Sequence, residues 1–63
     1  MNELNSKMND MMQTLIATAV DVEKFEQGNK SAGTRIRKAM QEIKNLAQDV
    51  RVEVQAIKNG ELV

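Results

Sequence analysis

Apolar side chains recur along this chain in steps of four and three. In the first half they fall at Leu4, Met8, Met11, Leu15, Val22 and Phe25, with Thr18 in the same register as the one polar member. In the second half they fall at Ile36, Met40, Ile43, Ala47, Val50, Val54 and Ile57. An α-helix completes a turn in about 3.6 residues, so a four-three alternation keeps these side chains on one side of a rod, the seam of a coiled coil. Val50-Arg51-Val52-Glu53-Val54 alternates briefly as a strand would, but it continues the helical register. Ala, Met, Leu, Gln, Glu, Lys and Arg dominate and proline is absent. These are the residues that lose least on entering a helix, and the pattern predicts an all-α chain.

Each stripe is wider than one seam. Met12, Ile16 and Ala19 broaden the first, and Ala39 and Leu46 the second. A broad apolar arc suits a helix with more than one neighbour, as in a four-helix bundle. The predicted architecture is one domain over residues 1–63, an antiparallel two-helix hairpin that dimerises into such a bundle. The helices are expected over residues 2–27 and 34–59, with a turn over 28–33.

Gly28 suits the left-handed end of a helix, and Asn29 or Ser31 suits the cap of the next. Glu26 and Lys30 stand at the spacing of an i, i+4 pair, and Phe25 and Ile36 are three turns apart. Those two relationships fit one long helix pairing with a partner, so both topologies stay open. The two glycines at 28 and 33 favour the hairpin.

With 63 residues and neither cysteine nor histidine, no disulfide or ordinary zinc site is available to brace a small core. Association with other copies is the remaining route to stability. No apolar run approaches the ~20 residues that span a bilayer, and residues 1–20 lack a secretory pattern. A cytoplasmic protein with no membrane partner is the expectation.

Charge sharpens the picture locally. Nine bases balance nine acids, yet no acid lies between Gln27 and Gln41. That stretch holds Lys30, Arg35, Arg37 and Lys38 at the expected start of the second helix, where the helix dipole disfavours cations. Arg, Lys and free backbone N–H groups suit phosphate. The predicted anion site is therefore Lys30, Ser31, Gly33, Thr34, Arg35, Arg37 and Lys38, with Gly33 allowing close backbone approach. The competing assignment pairs Arg35 and Arg37 with Glu23 and Glu26 across the junction.

Gly28-Asn29-Lys30-Ser31-Ala32-Gly33-Thr34 superficially resembles a phosphate-binding P-loop but lacks its Lys before Thr34 and any preceding strand. Without His or Cys, Ser6, Ser31, Thr14, Thr18 and Thr34 have no usual partner base. Glu3, Asp10, Asp21, Glu23, Glu26, Glu42, Asp49 and Glu53 read as a solvated face. No catalytic residue, metal, cofactor or small-molecule substrate is expected, and the chain does not read as an enzyme. Met8, Met11, Met12 and Met40 read as adaptable core filling, with a groove for partner helices as the sharper alternative.

The run Gly28-Asn29-Lys30-Ser31-Ala32-Gly33-Thr34-Arg35-Ile36-Arg37-Lys38, followed by an amphipathic helix, resembles the bacterial linker-histone-like family named for the chlamydial nucleoid-condensing histones. The likeness covers about residues 20–58. It implies an all-α module in a DNA-associated, nucleoid-located protein that takes part in chromosome condensation. Members of that family continue into a Lys- and Ala-rich tail, so the chain is expected to be a tailless relative or the helical part of a longer parent. The functional expectation is a self-associating homodimer that contacts DNA phosphates without sequence preference. The alternative is a structural adaptor acting through coiled-coil protein contacts alone.

Overall fold

The computed structural model describes residues 3–60. Two helices account for nearly all of them, α1 (Glu3–Glu26) and α2 (Lys30–Lys58), and no strand occurs among the described residues. The predicted start at residue 2 lies outside them.

The turn is shorter than the sequence pattern suggests. Gly28 adopts a positive φ of 103°, which a side chain would strain. Asn29 N–H then donates to Lys24 C=O at 3.0 Å and Gly28 N–H to Phe25 C=O at 3.0 Å. This pair of bonds is the Schellman closure of α1, and it excludes a continuous helix through residues 26–30. α2 begins at Lys30 instead of residue 34, so Gly33 and Thr34 belong to its body. Asn29 stands at the N-cap but makes no side-chain capping bond. Its Oδ1 instead accepts from Ser31 Oγ at 2.8 Å. At the other end Gly60, with φ 77°, follows the last turn of α2.

The helices run antiparallel. Lys7 near the start of α1 reaches Glu53 near the end of α2, Nζ to Oε1 3.7 Å. Beside the turn, Arg35 Nε donates to Asp21 Oδ1 at 2.9 Å.

The seam between the helices is turned by one row from the predicted one. The α1 residues half-buried or buried against α2 are Leu4, Lys7, Met11, Thr14, Thr18 and Asp21. On α2 the corresponding row is Ala32, Ile36, Ala39, Ile43, Leu46, Val50 and Glu53, flanked by Gly33, Ala47 and Ala56. Leu4, Met11 and Thr18, with Ile36, Ile43 and Val50, belong to both the predicted and the observed seam. Met8, Leu15, Val22, Phe25, Met40, Val54 and Ile57 were expected inside and are 40–51% exposed.

Two observations account for the rotation. Small side chains at 18, 32 and 39 allow the helices to approach, and Thr18 and Ala32 are the most buried residues, at 6% and 0% exposure. The rotated register also brings Lys7 and Asp21 to their partners on α2. Thr18 is satisfied within its own helix, its Oγ1 donating to Thr14 C=O at 2.6 Å.

The hairpin measures 50 × 17 × 11 Å with a radius of gyration of 15.1 Å. A compact globule of this length would have a radius near 10.6 Å. A layer this thin cannot enclose a large apolar side chain, and among the described residues none is fully buried. No described helix is long and apolar enough to cross a membrane.

Candidate nucleic-acid interface

The basic cluster occupies about the first two and a half turns of α2, and successive helical residues are about 100° apart. Cations close in sequence therefore leave the helix in different directions. Arg35 projects towards the edge of the hairpin that carries Asp21 and pairs with it. Arg37, two residues on, emerges on the opposite edge. There it lines a shallow hollow with Lys30, Gly33, Thr34 and Ile36 of α2 and with Val22 and Phe25 of α1. Lys38 lies further round, exposed on the outer side of α2.

Four of the seven expected site residues, Lys30, Gly33, Thr34 and Arg37, are thus gathered in one place. Ser31 is exposed and committed to Asn29. The competing assignment of Arg35 and Arg37 to Glu23 and Glu26 does not hold in the structure. Arg35 takes Asp21 instead, and among the described residues neither Arg37 nor Lys38 has a carboxylate within 4.0 Å. Asp21 lies four residues before Phe25, on the helix edge that meets α2. Glu23 and Glu26 are exposed elsewhere on the last turn of α1.

Gly33 has a different role from the expected one. A Cβ built on it would lie 2.8 Å from Phe25 Cε1 and 3.0 Å from Cδ1. The space left by its absent side chain is filled by the Phe25 ring. Its φ is not positive, so contact rather than backbone conformation is what calls for glycine here. The apolar floor of the hollow is made by this ring with Val22 and Ile36, and its rim by Lys30 and Arg37.

Lys30 alone of the four cations stands in the first turn, where no acid accompanies it. There it opposes the helix dipole, a cost of a few tenths of a kcal/mol when exposed. The others lie beyond the reach of that effect. Phosphate oxygens approaching the rim would meet Lys30 and Arg37 with the Thr34 hydroxyl close by, a donor set that neutralises charge without reading bases. Among the described residues no group of acids or other ligands is arranged to hold a metal ion.

Sequence reading missed that Lys30 and Arg37 begin a longer series. Bases recur at every seventh position from Lys30 to Lys58. The signal lies in the spacing of charges along the whole of α2, beyond the stretch around the glycines.

Comparison with curated proteins and with solved structures gives no match. A family model described as Histone H1-like protein Hc1 matches residues 2–60, nearly the whole chain. The likeness first noted around the two glycines therefore extends through both helices, and the chain belongs to the Histone H1-like protein Hc1 family.

Proposed function

We propose that this chain is a small self-associating, nucleoid-type DNA-binding protein of the bacterial cytoplasm. It grips duplex DNA through phosphates at the inter-helix junction, without base recognition. The observation that carries this reading is the state of the junction cations. Lys30, Arg37 and Lys38 are exposed with no carboxylate within 4.0 Å among the described residues. Membership of a histone-like family supports DNA as the polyanion. Arg35 is spent on Asp21 in the free protein and contributes less than its neighbours.

The unburied apolar face supports self-association. Met8, Leu15 and Val22 on α1 and Met40 and Val54 on α2 lie on the same side of the flat hairpin, each 40–50% exposed. A second hairpin laid on that side would complete a four-helix bundle. It would also bring a second set of junction cations into the same particle.

Titration of a labelled duplex over a series of salt concentrations tests the reading. Six junction cations in a dimer, each meeting a phosphate, give a log–log slope near −5 at ~0.9 per contact. The Arg37→Gln/Lys38→Gln variant should flatten that slope without changing the oligomer mass. No binding at low salt, or a slope near zero, overturns DNA binding. An intact oligomer that fails to bind would leave the adaptor role in its place.

A further inference from the structure

The bases of α2 follow a period of their own. Lys30, Arg37, Lys44, Arg51 and Lys58 stand seven residues apart, and all five are exposed. Seven residues make almost two full turns, so these side chains leave the helix along one edge. At ~1.5 Å per residue the line runs for about 42 Å. The next row outward is Thr34, Gln41, Gln48 and Gln55, also seven apart and exposed. Beyond it stand Lys38, Asn45 and Asn59, with Val52 the one apolar interruption. The acids of α2, Glu42, Asp49 and Glu53, fall on the other edge, where Glu53 meets Lys7.

A chain with no net charge is therefore divided across its width. Among the described residues none of the five bases in the row has a carboxylate within 4.0 Å. Repetition at seven residues is expected of any position flanking a seam, but a single sign is not. Helices that pair with their own copies carry both signs at such positions so that they attract across the interface. A row of one sign repels its own image. Its complement is an extended polyanion.

The acidic edge of another copy fits poorly. Its carboxylates are interspersed with Lys7, Lys24 and Arg35, and Asp21 and Glu53 are already paired. A phosphodiester backbone offers uniform negative charge, and the flanking Gln, Asn and Thr side chains donate hydrogen bonds to phosphate oxygens. We propose that the outer face of α2, from Lys30 to Lys58, is a contact surface for the phosphates of duplex nucleic acid along the whole helix. This rests on the DNA-binding reading above and extends it far beyond the junction. A straight row of this length spans about twelve base pairs at ~3.4 Å each, so it crosses both strands and engages some of its cations at a time.

The experiment uses the whole chain, a labelled duplex and a salt series. Lys44→Gln/Arg51→Gln/Lys58→Gln removes the part of the row remote from the junction. Every substituted side chain is exposed and glutamine is a good helix former, so circular dichroism should be unchanged. The slope should become shallower by up to about 3 per chain, at ~0.9 for each of the three lost contacts, with at least a tenfold loss of affinity at low salt. Lys7→Gln/Lys24→Gln, which removes bases away from this face, should retain slope and affinity.

Binding of the triple variant with unaltered slope and affinity overturns the row and leaves the junction reading standing. Failure of the unsubstituted chain to bind overturns both. A triple variant that loses oligomer mass but not DNA affinity also overturns the proposal, since the row then holds the acidic edge of another copy.

Discussion

The Phe25 ring occupies the space that a side chain at residue 33 would need, its Cε1 2.8 Å from where a Cβ would sit. This contact joins the last turn of α1 to the first turn of α2 and sets how closely the chain folds back after Gly28. A helix-interior position normally gains about 1 kcal/mol when glycine becomes alanine. Here the gain is opposed by displacement of a ring that is 51% exposed and able to move. Gly33→Ala alone should change stability by less than about 1 kcal/mol in either direction, the propensity gain being offset. In a Phe25→Ala background the same change should stabilise by about the full 1 kcal/mol. Urea denaturation of the four chains of this double-mutant cycle measures the difference. Equal effects of Gly33→Ala in both backgrounds would show that the ring does not constrain residue 33.

Thr18 is the buried polar group among the described residues, and its hydroxyl bonds to its own helix. Such a bond to the i−4 carbonyl contributes little to tertiary structure. Thr18→Val keeps the branched shape and replaces the hydroxyl, which is bonded to Thr14 C=O, by a methyl at a buried position. Stability should rise by up to about 1 kcal/mol, since removing a polar group whose bond was local leaves no partner orphaned except a helix-bonded carbonyl. A thermal melt that falls by several degrees would show that the Thr18 hydroxyl has a role across the seam.

Arg35 and Arg37 should separate in their effects. Arg35→Gln breaks an exposed pair with Asp21, side chains 48% and 21% accessible, and should cost about 0–1 kcal/mol, less in high salt. Arg37→Gln breaks no pair and should leave stability unchanged while weakening duplex binding more than Arg35→Gln does. Denaturation and a binding titration on the same two proteins check both halves. Stronger loss of binding from Arg35→Gln would mean that DNA displaces Asp21 from it.

Much of this was legible in the spacing of apolar residues, which requires helix with broad stripes in both halves, whether as a hairpin or as one long rod. The position of the turn was less so. Gly33 looked like turn punctuation because glycine has two uses, left-handed backbone and close contact, and only the position of the Phe25 ring tells them apart. The seam itself was ambiguous by one row. Met8, Leu15 and Val22 are more hydrophobic than Lys7, Thr14 and Asp21, but the pairing of Lys7 with Glu53 and Asp21 with Arg35 accompanies the less apolar row. Likewise the acids nearest the basic cluster in sequence are not its partners, because partnership follows the helix edge and not the distance along the chain.

The apolar row left outside gives the last prediction. Leu15 and Met40 are 50% and 41% exposed in the hairpin, so about half of each is left for a second copy to cover. In a four-helix bundle both would be interior, and losing two such contacts removes on the order of 2 kcal/mol or more of association energy. Stability that depends on association also depends on concentration, since the assembled form is favoured by mass action. The unsubstituted chain should therefore melt at a temperature that rises with protein concentration. Leu15→Gln/Met40→Gln should melt several degrees lower, with that dependence reduced or lost, because about 1 kcal/mol corresponds to roughly 4–8 °C in a domain of this size. Sedimentation should show a smaller particle for the variant at the same concentration. If both chains melt independently of concentration and sediment alike, the exposed row does not seat a second copy.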